Sequence, residues 1–242
     1  MEKFKDIGKW TKEWASIQND LVAHYFETIE STNTFAKKLP ESKKNQLVIS
    51  ELQTAGRGRG SNTWASPESG TALLSSWVFD IDFTPQPILS PLIGLSIYEA
   101  LYEISGFAEA DISLKAPNDI YIKSKKVGGI LIELQTQGDQ TRLIIGIGMN
   151  VFEGPKLDTS SFIAKHRKGD IDDCAWNGFL IEFYKRLKES VELSSQKELS
   201  KQDCEDLLKA LNKNPLLQEK YTQVLPDGSL KTAGKTVKWS SL

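Results

Sequence analysis

The sequence predicts an α+β fold, in which short strands and helices follow one another along the chain. Short runs of β-branched, aromatic and aliphatic residues are bounded by Gly, Pro, Asn and Asp, which is typical of strands. Longer segments with apolar residues at helical spacing lie between and after these runs. The length of 242 residues, with 39% hydrophobic and 26% charged residues, suits one domain with a small appendage or two small domains.

The N-terminal third begins with a helical pattern and continues as strands. Residues 1–20 place Trp10 and Trp14 one helical turn apart, so we expect an N-terminal helical extension that docks on the main domain. Residues 30–33 are predicted to open a helix that runs to about residue 39. Strands are predicted at residues 21–29, 47–52 and 71–79.

The middle of the chain combines one helix with four strands. The helix, at residues 92–104, is opened by Ser90 as its cap and Pro91 in its first turn, and it is apolar nearly all round, so we expect it to be central. Tight connections are predicted at residues 117–119, 125–126 and 137–139. The strands that they join are predicted at residues 112–115, 120–122, 127–134 and 143–151.

One face of the predicted strand 143–151 is almost stripped of side chains. Because strand side chains alternate, Gly146, Gly148 and Asn150 share one face, and the apolar residues between them share the other. Glycine at such positions permits close approach of another group to the backbone. Either a ligand lies on this face or a helix crosses it, and the strand alone does not distinguish the two.

The C-terminal part is predicted to hold two helices and a small β module. The helices lie at residues 176–193 and 203–211, and a hairpin signal occupies residues 226–228. Residues 212–215 have the composition of a boundary. We therefore expect an extension at 1–20, a main domain at 21–212 and a small β module at 213–242.

Composition and charge exclude several classes of protein. A formal net charge of -2 argues against nonspecific nucleic-acid binding, which needs a basic excess. No apolar run is long enough to span a bilayer, and residues 1–20 lack the core of a signal peptide. Cys174 and Cys204 fit neither a disulfide framework nor a metal site, and His24 and His166 have no ligand-like neighbours. These features favour a reduced, cytoplasmic protein that binds neither membranes nor nucleic acids.

The segment 56–60, Gly-Arg-Gly-Arg-Gly, is the strongest single signal of chemistry. Glycines let backbone amides approach an anion, and the guanidinium groups of Arg57 and Arg59 match phosphate oxygens. The alternatives are a solvated basic loop or an RNA-binding segment of the Arg-Gly-Gly kind. Because nothing in this loop is expected to pack, we expect it to be mobile until an anion binds.

A second polar cluster gathers at predicted strand ends. Asn118 and Asp119 follow one strand, and Lys126 precedes Gly128 and Gly129, where a ligand could approach the backbone. Lys126 suits a carboxylate or an α-phosphate, although an ordinary Lys-rich turn would have the same composition. Trp64 either belongs to the core or shields a bound nucleotide.

Taken together, these segments resemble the biotin–protein ligase family. The resemblance covers residues 22–195 and rests on five motifs in the family's order and spacing, at residues 30–33, 53–67, 115–119, 126–130 and 146–150. It implies a class II synthetase-like catalytic domain with a mixed, mainly antiparallel sheet, flanking helices and a reduced SH3-like C-terminal module. It also implies a monofunctional type, because the sequence lacks the N-terminal DNA-binding domain of the bifunctional members.

The activity that the resemblance implies is ATP-dependent ligation of biotin to one lysine of a biotin carboxyl-carrier protein, through biotinyl-5′-AMP. Mg²⁺ would arrive with ATP, without a dedicated protein site. The oligomeric state stays open, with a homodimer among the alternatives. Two rival functions are a lipoate or octanoate ligase or transferase of the same fold, and a non-catalytic biotin- or nucleotide-binding protein.

The resemblance also implies roles for individual residues. The catalytic residues are Lys126, Arg57 and Arg59. The biotin-binding residues are Ser31, Thr32, Asn33, Gln53, Gly56, Arg57, Lys126, Gly129 and Gly148. The ATP-binding residues are Arg59, Trp64, Asn118, Asp119 and Asn150. The sequence departs from the family's pattern at Ala116, where a Trp is usual, and at residues 61–63, which are neutral where many members carry a further Arg.

Overall fold

The computed structural model describes residues 6–103, 111–137 and 140–241 and divides the chain into two compact units. The first unit comprises Met1–Phe83 and Val127–Asn177, and the second comprises Thr84–Lys126 and Gly178–Leu242. Two elements have residues in both units: the strand β6 (Lys125–Gln137) and the helix α4 (Asp173–Leu193).

The first unit is built on a mixed sheet. Its elements are α1 (Ile7–Ser16), β1 (Leu21–Ile29), α2 (Thr32–Ala36), β2 (Asn45–Gln53), β3 (Ala72–Ile81), β6 (Lys125–Gln137) and β7 (Gln140–Asn150). Strand β1 pairs with β2 in parallel, whereas the pairs β2–β3, β3–β7 and β7–β6 are antiparallel. The predicted α+β fold with a mainly antiparallel sheet is therefore confirmed.

The two faces of this sheet are covered by different helices. On one face, α1 packs Trp14 against Trp77 of β3, with ring centroids 6.1 Å apart, and Ile7 is fully buried. On the other face, α2 covers a buried apolar cluster. This cluster consists of Ala36, Leu39, Val48, Val78 and Ile144. The remainder of that second face, beyond the apolar cluster, carries the candidate site.

The second unit combines helices with a small C-terminal sheet. Its elements are α3 (Leu89–Glu103), β4 (Ile112–Lys115), β5 (Asp119–Ile122), most of α4 (Asp173–Leu193), α5 (Lys201–Asn212), β8 (Gln223–Val224), β9 (Leu230–Lys231) and β10 (Thr236–Val237). Strands β8, β9 and β10 form an antiparallel sheet. Helix α5 begins with a capping box between Ser200 and Asp203, which satisfies amides that the first turn would leave unbonded.

The predicted tight connection at residues 125–126 is wrong. Lys125 begins β6, so Lys126 lies in the strand, and the turn falls at Lys123 and Ser124. Lys123 has a positive φ of 54°, a conformation that usually selects Gly or Asn. Since the segment contains neither residue, the sequence carried no signal for a turn there.

Other boundaries differ by a few residues. Helix α2 ends at Ala36, three residues before its predicted end. Helix α3 begins at Leu89, so Ser90 lies inside it, and the prediction of Ser90 as its cap is wrong. The predicted end of α3 at residue 104 and two residues of the connection 137–139 lie outside the described part of the chain. Among the described helices, none combines the length and apolar character that crossing a bilayer requires.

Candidate functional site

Strands β6 and β7 place two glycines directly opposite each other on one face of the sheet. Gly129 pairs with Gly148, and Gly146, two residues before Gly148 in β7, lies on the same face. A Cβ at Gly148 would lie 2.6 Å from Cε2 of Trp64, and a Cβ at Gly146 would lie 2.9 Å from Cγ of Asn33. Protein side chains thus take up the room above Gly146 and Gly148, and at Gly146 the side chain comes from a crossing helix.

The N-terminus of α2 gathers several of the predicted biotin-binding residues. Ser31 is the N-cap and accepts a hydrogen bond from the Thr34 amide. Thr32 donates from its amide and its hydroxyl to Oε1 of Gln53, at 2.8 and 3.1 Å. Ser76 of β3 donates to the Thr32 hydroxyl at 2.8 Å. The result is a buried polar patch beside the glycine face.

Glu133 of β6 is a site residue that sequence reasoning missed. Its carboxylate accepts hydrogen bonds from both terminal nitrogens of Arg57, each at 2.9 Å. It also accepts from Nζ of Lys37 at 2.8 Å and from Nδ2 of Asn33 at 3.0 Å. The alternation of β6 puts Glu133 on the same face as Gly129, so the signal was present in the predicted strand.

The Gly/Arg segment is folded back on itself. Gly56 accepts a hydrogen bond from the Trp64 amide at 3.0 Å, and the Gly58 amide donates to Asn62 at 2.8 Å. Arg57 forms an isolated antiparallel bridge with Thr63. A Cβ at Gly56 would lie 2.6 Å from the Trp64 carbonyl oxygen. The expectation that nothing in this loop packs is therefore wrong, because close backbone pairing replaces side-chain packing.

Arg59 and Asn150 occupy different surroundings. Arg59 is exposed in the folded-back loop. Asn150, at the end of β7, is only 2% exposed and donates from Nδ2 to the carbonyl of Ser161 at 3.0 Å. Its Oδ1, like Nε1 of Trp64, is buried without a hydrogen-bond partner among the described residues. Both atoms are therefore able to recognise a polar group other than those of the described residues.

In the second unit, the Lys126 ammonium lies 2.6 Å from Oδ1 of Asp119. Asp119 begins β5, and Asn118 precedes it, half-buried. The turn before these two residues is hydrogen-bonded to Trp239. The indole N–H of Trp239 donates to the Pro117 carbonyl at 2.8 Å and to Ser90 Oγ at 3.1 Å. Trp239 thereby connects the small C-terminal module to the segment that carries Asp119.

Replacing Trp239 with Phe should lower the free energy of unfolding by about 1–3 kcal/mol. Phe keeps an aromatic ring, although a smaller one, and it lacks the indole N–H that bonds the Pro117 carbonyl and Ser90 Oγ. Urea unfolding of wild type and variant measures the difference. An unchanged midpoint would show that this anchor does not stabilise the turn.

Comparison with known proteins identifies the family. The sequence model described as Biotin/lipoate A/B protein ligase family matches residues 25–150, just over half of the 242 residues. The chain belongs to this family. The predicted resemblance is thereby confirmed.

Curated members of the biotin/lipoate ligase family match part of the chain. It is 38% identical over 136 residues to the bifunctional ligase/repressor BirA of Bacillus subtilis (strain 168), covering 54% of this chain and 41% of that protein. It is 31% identical over 129 residues to the human biotin–protein ligase, covering 50% and 18%. The matches thus span less than half the length of these relatives.

A solved structure of the family covers nearly the whole chain. The biotin protein ligase from Aquifex aeolicus in complex with biotin and ATP superposes with a TM-score of 0.68 at 25% identity, covering 90% of this chain and 95% of that one. The fold of the present chain, including parts outside residues 25–150, is therefore that of this ligase.

In this family member, the Glu133 carboxylate is held ionised. Burial alone would raise its pKa, but the hydrogen bonds from Lys37, Asn33 and Arg57 outweigh burial and lower the pKa below its ordinary value. Since the pKa is lower in the folded state, the ionised carboxylate stabilises the fold above the unfolded-state pKa of about 4.3. That contribution is lost as the pH falls through the folded-state pKa.

A Glu133→Gln variant should therefore differ from wild type mainly at neutral pH. We expect the gap in unfolding free energy to be constant above about pH 5 and to shrink below about pH 4, because wild type then loses its charge as well. Urea unfolding from pH 3 to pH 7 measures this. A gap that is independent of pH would show that the charge of Glu133 does not stabilise the fold.

Proposed function

We propose that this protein is an ATP-dependent biotin–protein ligase. It joins biotin to ATP to form biotinyl-5′-AMP and then transfers the biotinyl group to a lysine of a biotin carboxyl-carrier protein. The observation that carries the proposal is a continuous polar network on one sheet face. It runs from Gln53 through Thr32, Ser76 and Asn33 to Glu133, which holds Arg57.

This network suits the shape and chemistry of biotin. Biotin has a ureido head that needs hydrogen-bonding partners, an apolar ring body and a carboxylate tail. Ser31, Thr32 and Gln53 provide the polar end, and Arg57 provides the cationic end. Gly129 and Gly148 give the sheet face no side chains of its own at this point, and the Trp64 indole that lies over Gly148 offers an apolar surface to the ring body.

The first step requires charge neutralisation more than a protein nucleophile. A biotin carboxylate oxygen attacks the α-phosphorus, and the bond from that phosphorus to the pyrophosphate oxygen breaks, so pyrophosphate leaves with the electron pair. Two anions meet, and negative charge develops on the equatorial oxygens. We assign its neutralisation to Lys126, Arg57 and Arg59. We assign Asp119 to orienting Lys126, with which it forms an ion pair.

The second step is acyl transfer. The amine of the carrier lysine attacks the biotinyl carbonyl, an amide bond forms, and AMP leaves with the electrons of the mixed-anhydride bond. We assign Trp64, Asn118 and Asn150 to the adenosine part of the intermediate, because Trp64 Nε1 and Asn150 Oδ1 are buried without partners among the described residues.

We propose that Mg²⁺ enters with ATP and is held by phosphate oxygens and water. Within the described part of the chain, no group of three or more His, Cys, Asp and Glu side chains is arranged to hold a metal ion. Binding of Mg²⁺ by phosphate oxygens and water is typical of magnesium–nucleotide complexes, in which the protein supplies few ligands. We place the activity in the cytoplasm, in keeping with the free cysteines Cys174 and Cys204.

Exchange of labelled pyrophosphate into ATP tests the proposal. We expect exchange that depends on biotin and is not supported by lipoate or octanoate. Exchange with lipoate or octanoate but not with biotin would assign the chain to the lipoate side of the family. Binding of biotin without any exchange would make it a binding protein.

A further inference from the structure

The Glu133 carboxylate accepts more hydrogen bonds than an ordinary surface ion pair involves. Its side chain is 16% exposed, and its two oxygens together accept four hydrogen bonds, from Lys37, Asn33 and both terminal nitrogens of Arg57. Asn33 is itself fixed, because it lies over Gly146 and hydrogen-bonds Ser76. The carboxylate is therefore a rigid anchor.

The backbone of Arg57 is paired with Thr63, but this pairing does not fix the long side chain. Arg57 lies between Gly56 and Gly58, and its side chain is 41% exposed. A long Arg side chain loses much of its rotamer freedom when it is fixed. The bidentate pair with Glu133 fixes the plane of the guanidinium before any ligand arrives.

The pair does not exhaust the capacity of Arg57 to bind an anion. A guanidinium has five N–H donors, and the contact with Glu133 uses two. Lys37 and Arg57 contribute two positive charges against the single negative charge of Glu133, so the cluster keeps a net positive charge. An anion can therefore bind to Arg57 while Glu133 stays in place.

We infer that Glu133 is a positioning residue that presents the Arg57 guanidinium to the phosphate of the adenylate. The inference rests on the proposed function. Glu133 does not touch the reacting atoms, and its effect passes through Arg57 alone. The competing possibility is that the carboxylate occupies Arg57 and must be displaced, so that it weakens anion binding.

A double-mutant cycle separates these possibilities. The probe is a non-reactive acyl-sulfamate analogue of biotinyl-5′-AMP, and its dissociation constant is measured by calorimetry. We expect Glu133→Gln to weaken binding of the analogue about ten- to hundredfold, which is the loss typical when one charge-assisted hydrogen bond is no longer held in place. In an Arg57→Ala background the same substitution should change binding less than about twofold, since contacts that act through one residue are not additive. Glu192→Gln, the same charge change at an exposed position of α4, serves as the control.

Two outcomes would overturn the inference. If Glu133→Gln weakens binding of the analogue by the same factor in the Arg57→Ala background, Glu133 has a purely structural role. If Glu133→Gln binds the analogue more tightly than wild type, the carboxylate competes with the anion for Arg57. If the Gln variant fails to fold by circular dichroism, Glu133→Asp keeps the charge but withdraws the carboxylate, and the same cycle applies. If wild type neither binds the analogue nor catalyses biotin-dependent exchange, the proposed function itself has failed.

Discussion

Lys126→Ala is expected to slow formation of biotinyl-5′-AMP about a hundred- to thousandfold, while biotin binding changes much less. The ammonium should matter most when negative charge builds up around the α-phosphorus, so its removal lowers the rate of the chemical step. In the structure its Nζ already lies 2.6 Å from Oδ1 of Asp119, and this ion pair orients it. Rapid-quench measurement of adenylate formation, with calorimetry for biotin, gives both quantities.

Lys201→Ala is the matched control for this prediction. Lys201 begins α5, and its side chain is 93% exposed. We expect nearly wild-type adenylation from this variant. Adenylation by Lys126→Ala within about threefold of wild type would remove Lys126 from the catalytic residues.

Gly148→Ala is expected to have the second largest effect, on stability and activity together. The new methyl group would lie 2.6 to 2.8 Å from three atoms of the Trp64 indole, so the ring must move off the sheet. Overpacking of this kind costs about 1–3 kcal/mol. We expect a loss of that size in unfolding free energy, and at least about a tenfold rise in the KM for ATP, because Trp64 is assigned to the nucleotide.

Gly178→Ala provides the comparison. Gly178 lies in α4, and a Cβ there would meet nothing within 4 Å. We expect this variant to be as stable as wild type or slightly more stable, because Ala is the better helix former. If Gly148→Ala keeps the KM of wild type, Trp64 does not contact ATP, and its place on the glycine face is purely structural.

Local pattern was enough to predict much of the fold. The alternation in residues 143–151 correctly separated the apolar face from the face of Gly146, Gly148 and Asn150, because a strand imposes a period of two whatever its surroundings. The start of α2 within residues 30–33 was recognised for a similarly local reason. The turn at Lys123 was missed because its positive φ is set by the hairpin and not by the residue type.

Long-range contacts could not be predicted in the same way. Trp239 and Pro117 are separated by 122 residues, and nothing in either segment indicates that the indole bonds that carbonyl. Glu133 is an intermediate case, because its face followed from alternation but its hydrogen-bond partners did not. Its four donor atoms belong to Asn33 and Lys37 of the α2 segment and to Arg57, which only the folded sheet brings together. The packing of Trp64 on Gly148 likewise needed the path of the Gly/Arg loop.

Transfer of biotin to a carrier lysine tests the central claim most directly. The full chain is incubated with ATP, Mg²⁺, biotin and the carrier domain of a biotin-dependent carboxylase, and the carrier is analysed by intact mass and peptide mapping. We predict the addition of one biotinyl group to a single lysine, dependent on both ATP and biotin, and abolished in a carrier whose target lysine is replaced by Arg. A carrier that remains unmodified with biotin, while a lipoyl-carrier domain is acylated when lipoate or octanoate is supplied, would contradict the account.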